Sequence, residues 1–188
     1  MSDPSRFSEA FRLRSGVAAL VRAIRPDDRE RLHAAFLELD PESVYLRYFS
    51  YKADLSEADL DRLCDPDFRE RVVLVVTIAG AAGEVIIAAA GYVAYDTPEH
   101  ERAAEVAFSV EEDFHGQGIS GKLLAVLTTI ARADGIDRFE AEVLARNAPM
   151  LHVFERSGLP MQHEPAEDGV VRVSLSLLAA PSPAAASR

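Results

Sequence analysis

The sequence predicts a single α/β (α+β) domain, a mixed and mostly antiparallel central sheet flanked by helices, on three observations. Residues 104 to 110 alternate, with Val106, Phe108 and Val110 on one face and Glu105, Ala107 and Ser109 on the other, which is the period of a strand. From Ile119 the apolar residues Leu123, Val126, Leu127 and Ile130 fall on one face at helical spacing. Two apolar runs, 72 to 78 and 85 to 95, are joined by a short glycine-containing stretch and read as an antiparallel hairpin. A chain of 188 residues, 48% hydrophobic and 27% charged, is the size and composition of one soluble domain with its own core.

Residues 1 to 11 are polar and are expected to be flexible, which places the domain at 12 to 178. Residues 17 to 25 predict a first strand, stopped by Pro26. Asp27 and Glu30 have the spacing of a capping pair for a helix that buries Leu32, Ala35, Phe36 and Leu39. After Pro41, residues 42 to 51 hold Val44, Tyr45, Leu46, Tyr48, Phe49 and Tyr51 at mixed spacing, which fits core packing or the wall of an amine-binding groove. Ser56 and Asp59 cap a short helix through Leu60 and Leu63. In the hairpin that follows, Gly91 marks a bulge or a close approach of backbone. Beyond a polar loop at 96 to 102 come the central strand and helix, then a strand at 138 to 144. Asn147, Ala148 and Pro149 open a helix that Gly158 closes, and 170 to 177 form a last strand. The Ala-, Pro- and Ser-rich tail, 179 to 188, is expected to be disordered.

A net charge of −11 excludes nucleic acid and anionic membrane as principal partners and is compatible with a basic one. No segment approaches membrane-spanning length and no apolar run follows the N-terminal charges, so a cytoplasmic location is expected. The single cysteine, Cys64, shares an apolar helical face with Leu60 and Leu63 and reads as a small buried hydrophobe, with a reactive thiol as the alternative. His33, His100, His152 and His163 lack the paired spacing of a metal site, so no metal is expected.

Between the central strand and helix lie Gly116, Gln117, Gly118, Ile119, Ser120 and Gly121. Glycines remove side chains from the approach to the backbone, and the first-turn N–H groups of a helix have no intrahelical partners, so such a loop is an anion site. Taken literally, residues 116 to 121 spell the dinucleotide fingerprint G-x-G-x-x-G. The context argues against a dinucleotide: five polar or bulky residues, 111 to 115, separate Val110 from Gly116, and the preceding strands read as antiparallel.

The same stretch resembles the acyl-CoA-binding segment of the GCN5-related N-acetyltransferase (GNAT) family, whose signature is Gln or Arg, two residues, Gly, one residue, then Gly or Ala. Gly118 corresponds to the central glycine, whereas His115 stands where Gln or Arg is usual and Ser120, followed by Gly121, where the second small residue is usual. The resemblance extends over most of the element order. It is narrower in the runs 24 to 28, 43 to 49 and 104 to 108, which look like the acetyltransferase domain of bacterial protein-lysine acetyltransferases. Some of those relatives carry a nucleotide-binding or a synthetase-like domain as well, for which 188 residues leave no room.

The resemblance implies acetyl-CoA as cosubstrate and an amine acceptor, a protein lysine, with a homodimer compatible. It implies Glu105 as general base, and a base is useful because freeing a lysine of reference pKa near 10.4 at pH 7 costs about 4.6 kcal/mol. Burial of Glu105 would raise its pKa toward that task. By the same resemblance, the Val110 N–H polarises the thioester carbonyl, and Phe108 and Val110 pair by main chain with the pantetheine arm. Gly116, Gln117, Gly118, Ile119, Ser120, Gly121 and Lys122 hold the pyrophosphate. Lys122 is equally readable as a solvated helix residue, and Asn147 as a cofactor contact or an N-cap. Phe154 stands where many relatives have a tyrosine as general acid and cannot donate a proton; His115 serves the phosphates or is merely solvated. Two other functions fit: acetylation of a small amine, and a non-catalytic acyl-CoA-binding module in which His115, Ser120 and Phe154 mark a degenerate site.

Overall fold

The computed structural model describes residues 3–48, 52–81, 83–98, 100–165 and 169–178. The expected tail disorder at 179 to 188, and Phe49 and Tyr51 of the aromatic run, lie outside the described residues. The alternating segments become β2 (Ala18–Ala23), β3 (Arg71–Gly80), β4 (Gly83–Asp96), β5 (Arg102–Val110), β6 (Arg138–Leu144) and β8 (Val170–Ser176). With β1 (Ser8–Arg12) and β7 (Met161–Pro165) they form one sheet in the order β1-β2-β3-β4-β5-β6-β8-β7. Every neighbouring pair is antiparallel except β5 with β6. The mixed, mostly antiparallel sheet expected from the sequence is therefore present.

Two edge strands depart from the expectation. Of residues 1 to 11, expected to be flexible, Pro4–Arg6 form a 3-10 turn and the chain from Ser8 enters β1. Phe7 and Phe11 pack against the main core, and the Ala23 N–H donates to the Phe7 carbonyl at 3.0 Å, so the segment gains both burial and ladder bonds. β7 has no run of β-branched residues; it is a strand because β8 offers it a free edge.

Helices α1 (Arg29–Leu37), α2 (Pro41–Tyr48) and α3 (Glu57–Cys64) belong to one side of the sheet, and α4 (Ile119–Ala133) and α5 (Ala148–Glu155) to the other. Leu32, Phe36, Leu60 and Cys64 pack with Val73, Val75 and Ile86 on the first side. Leu123, Leu127, Ile130 and Phe154 pack with Leu74, Ala90, Val106 and Phe139 on the second. Cys64 is buried, and burial pushes its thiol pKa up, which suits the packing role. The capping box at α3 forms as the spacing indicates, the Asp59 N–H donating to Ser56 Oγ at 3.2 Å and the Ser56 N–H to Asp59 Oδ2 at 2.9 Å.

The cap expected from Asp27 and Glu30 does not form; α1 has no side-chain cap, and the neighbouring Asp28 turns its carboxylate back onto the start of a 3-10 turn at Pro26–Asp28. Its carboxylate accepts from the Arg25 N–H at 2.9 Å, from Arg22 at 2.6 and 2.8 Å, and from Arg31 at 2.8 Å. Arg22 is also ion-paired with Glu84 at 2.8 Å, so β2, β4 and the start of α1 meet at one buried charge cluster.

Gly91 proves to be a close approach rather than a bulge. A Cβ there would lie 2.3 Å from the Val72 carbonyl oxygen and 3.3 Å from Val73 Cα. The irregularity in the hairpin falls instead between Val76 and Thr77, where Ile87 is the extra residue of β4. Gly91→Ala is expected to destabilise the fold by about 1–3 kcal/mol through overpacking against backbone, measured as a lower midpoint in chemical denaturation.

Candidate active site

The parallel pairing of β5 with β6 holds only for Ala103 with Arg138, Ala104 with Phe139 and Glu105 with Glu140. Beyond Glu105 the two strands diverge, while β5 stays paired with β4 as far as Val110. The Glu111 N–H donates to the Ile87 carbonyl at 3.0 Å, so the odd-numbered residues of β5 turn their backbone groups to β4. The Arg102 carbonyl accordingly accepts from the Asp137 N–H, at 2.7 Å, on the β6 side. It follows that Phe108 and Val110 present main-chain N–H groups to a gap in the sheet where β6 does not bond them.

That gap opens into a cavity of about 1290 Å³, larger than the roughly 300–1,000 Å³ of a pocket for a drug-sized ligand and suited to an extended one. Phe108, Val110, Gly116, Gly118, Ser120 and Gly121 are among its walls. Gly116 (φ +72°) and Gly118 (φ +86°) adopt the left-handed conformation that brings the backbone round from the strand to α4. A Cβ at Gly116 or Gly121 would meet no atom within 4 Å, so the backbone there is bare toward open space. The first hydrogen bond of α4 runs from the Lys122 N–H to the Gly118 carbonyl at 3.1 Å, which leaves the N–H groups before it for a ligand. Thr128 on α4 adds a buried hydroxyl without a hydrogen-bond partner among the described residues on the same cavity wall. Bare glycines, free helix-terminal donors and an orphaned hydroxyl are a donor set that fits a long anionic cosubstrate.

The odd face of β5 looks to a second cavity of about 340 Å³, walled by Leu32, Phe36 and Leu39 against Ala89, Gly91 and Ala107. Glu105, Ala107 and Ser109 line both cavities. Glu105 thus stands at the junction between a groove for an anion and an apolar pocket. The burial that would suit a general base is not found: Glu105 is exposed. It makes no hydrogen bond or ion pair with any described residue. Its neighbour Glu140 differs, because its carboxylate accepts from the Tyr95 hydroxyl and from Arg138 Nε at 2.8 Å. Burial pushes the Glu140 pKa up, but the Tyr95 and Arg138 contacts outweigh it and hold it low. Tyr95 is pushed up to about 12 by burial and by the Glu140 and Glu105 carboxylates. Glu111, on the apolar cavity, is raised by burial and by the charges of Asp113, Glu112 and Glu38.

Several expected ligands of the loop have other partners. Lys122 does not face the cavity; its Nζ is ion-paired with Glu9 on β1 at 2.6 Å. The Gln117 side chain accepts from the Ser15 N–H at 2.9 Å, which ties the loop to the β1–β2 turn. His115 is exposed, but Nε2 lies 2.9 Å from the Val110 carbonyl. A carbonyl only accepts, so Nε2 carries the proton and the ring pins the end of β5. Asn147 is the N-cap of α5, its side chain accepting from the Met150 N–H at 3.2 Å, and it lines the larger cavity. Phe154 is buried against Phe108 with ring centroids 6.1 Å apart. Of the aromatic run, Val44 is core, Leu46 lines the larger cavity, and the Arg146 guanidinium lies 5.2 Å from the Tyr45 ring centroid. Sequence reasoning missed Arg14, Tyr95, Glu111 and Thr128: Arg14 and Tyr95 come from other elements, the β1–β2 turn and β4, whereas Glu111 directly follows β5 and Thr128 sits on α4, but neither carries a local pattern that marks it. Among the described residues no cluster of His, Cys, Asp and Glu is placed to hold a metal ion, and no helix is long and apolar enough to cross a membrane.

The sequence profile of the acetyltransferase (GNAT) domain matches residues 19–160. Acetyltransferase Pat of Mycolicibacterium smegmatis is 34% identical over 146 residues, which are 78% of this chain and 42% of that protein. The chain therefore spans less than half the length of that relative. The solved GNAT domain of S. lividans PAT superposes with a TM-score of 0.80 at 36% identity, covering 90% of this chain and 96% of that one. The protein yncA of Salmonella typhimurium, solved with its cofactor acetyl-CoA, shares the fold with a TM-score of 0.66 at 18% identity, over 89% of this chain and 98% of that one.

Proposed function

The chain belongs to the GNAT acetyltransferase family, and from that premise we propose that it moves an acetyl group from acetyl-CoA to the side-chain amine of a protein lysine, with Glu105 as general base. The observation that carries the proposal is the place of Glu105 on the strand shared by the two cavities, with no ion-pair partner among the described residues. The larger cavity takes the cosubstrate. N–H groups of Gly118, Ile119, Ser120 and Gly121 hold its pyrophosphate, and the backbone of Phe108 and Val110 pairs with its pantetheine arm in place of the missing β6 ladder. The Val110 N–H, aimed into the gap, donates to the thioester oxygen as negative charge develops there.

The smaller cavity takes the acceptor. Its aliphatic walls suit the four-methylene stem of lysine, while Glu105 at its junction meets the ammonium. Glu105 accepts the ammonium proton directly or through a water, and the neutral amine attacks the thioester carbon. Exposure of Glu105 allows the proton to leave for solvent after each turnover. Phe154 has no proton to give, so the departing thiolate takes its own from water; a thiol of ordinary pKa near 8.5 is a tolerable leaving group. The similarity to Pat and PAT proteins supports a protein acceptor, and the net charge of −11 favours a basic segment around the target lysine.

Incubation of the purified protein with a cell lysate and isotopically labelled acetyl-CoA, followed by mass spectrometry, tests the acceptor class. Label on lysine side chains of a few proteins is the expected result. Label confined to the small-molecule fraction would replace the lysine by a small amine, and no transfer despite cofactor binding would favour a non-catalytic acyl-CoA-binding module.

A further inference from the structure

We propose that Arg14, in the turn between β1 and β2, is the cationic ligand of the acyl-CoA pyrophosphate, supplied from the N-terminal hairpin because the glycine loop itself has no free cation. The proposal rests on the cosubstrate assigned above and adds a residue to its site. Three cationic or protonatable side chains lie at the loop, and two are engaged. Lys122 is neutralised by Glu9 at 2.6 Å. His115 has its Nε2 proton committed to the Val110 carbonyl at 2.9 Å. Arg14 forms no ion pair with any described carboxylate, and it lines the larger cavity beside Gly116, Gly118 and Gly121.

Arg14 is exposed, but contacts of its turn and its own side chain fix where the guanidinium lies. Leu13 is buried in the main core, and its N–H donates to the Val17 carbonyl at 2.9 Å, closing the turn. The Ser15 N–H donates to Gln117 Oε1 at 2.9 Å, docking the turn on the loop. Arg14 Nη1 then donates to the Gly116 carbonyl at 2.9 Å, and its Nε lies 3.8 Å from where a Cβ on Gly118 would stand. One of five guanidinium N–H donors is used by that contact, and the others remain beside the helix-terminal N–H groups. A planar fork positioned in advance is the geometry that binds phosphate oxygens in pairs. In a chain of net charge −11, a fixed local cation also offsets repulsion of a polyanionic ligand.

Calorimetric titration of the wild type, R14Q and R14K with CoA and with dephospho-CoA, which keeps the pyrophosphate and lacks the 3′-phosphate, tests the assignment. R14Q is expected to weaken both ligands by the same factor, about 10- to 100-fold, with R14K recovering part of the loss at low salt. Unchanged affinity in R14Q would overturn the proposal. A loss seen with CoA but not with dephospho-CoA would move Arg14 away from the pyrophosphate and overturn it too. If R14K is as weak as R14Q at every salt concentration, Arg14 acts by shaping the loop and not by its charge, which also overturns it. Thermal midpoints of the unliganded variants equal to wild type exclude misfolding as the cause. Failure of the wild type to bind CoA at all would be a different outcome, one that removes the cosubstrate itself.

Discussion

Glu105→Gln is expected to lower kcat by about 10²- to 10⁴-fold while leaving the Kd for acetyl-CoA near the wild-type value. The amide keeps the shape and exposure of the side chain and removes only its ability to take a proton. Glu105 bonds no described residue, so no structural contact is lost with it. The deficit should shrink as pH rises, because more of the acceptor amine is neutral without help. Glu111→Gln serves as comparison: Glu111 lies on the apolar cavity but not on the larger one, and its replacement should leave most of kcat. Steady-state kinetics of both variants across pH, with calorimetric Kd values, separate the two carboxylates. A Glu105→Gln protein that turns over at the wild-type rate would remove the base assignment.

The largest expected effect on stability lies away from the site, at the Arg22–Asp28 pair. Both side chains are essentially inaccessible to solvent, at 1% and 0%, and the pair is bidentate at 2.6 and 2.8 Å. Removing the carboxylate leaves a buried guanidinium with the Ala23 carbonyl and, as its one remaining carboxylate among the described residues, the partly exposed Glu84, a loss of about 3–5 kcal/mol. Asp28→Ala should therefore lower the thermal midpoint by roughly 6–20 °C. Replacing both residues by aliphatic side chains should recover much of it, since the pair's value is chiefly that neither charge is left alone. Burial alone would push the Asp28 pKa up, but the hydrogen bonds from Arg22, the Arg25 N–H and Arg31 outweigh it and hold it below the usual carboxylate range. The folded-state pKa is depressed, so the stabilisation is present above an unfolded-state pKa of about 3.9 and is lost as pH falls through the folded value. Acid unfolding below pH 4 should be shallower in Asp28→Ala than in wild type, and equal midpoints for the two proteins at pH 7 would contradict the account.

The parts of the molecule legible in its sequence are those where one segment states its own environment. β5 alternates because its two faces meet different layers, and α4 repeats at helical spacing because one side packs on the sheet. The glycine loop is readable for the same reason, since backbone made accessible by glycine is written in the residues themselves. What was not legible depends on pairing at long range. β1 and β7 are strands by virtue of the edges they join. Of the adjacent acids Asp27 and Asp28, local spacing favours the first, and only the approach of Arg22 from β2 turns the second inward. Lys122 looks like a phosphate ligand until Glu9, 113 residues away, is brought beside it, and Arg14 reaches Gly116 across 102 residues. The alternation of β5 sets Glu105 on one face of the sheet but not how much solvent reaches it; it is exposed even though the strand is paired on both sides there, with Val93 of β4 and Glu140 of β6.

A crystal structure of the protein with acetyl-CoA tests the central claim most directly. The account predicts the pyrophosphate on the N–H groups at the start of α4, the thioester oxygen within hydrogen-bond distance of the Val110 N–H, and the acetyl carbon facing the junction where Glu105 meets the apolar cavity. A cosubstrate bound outside the β5–β6 gap, or a thioester turned away from Val110 and Glu105, would contradict it.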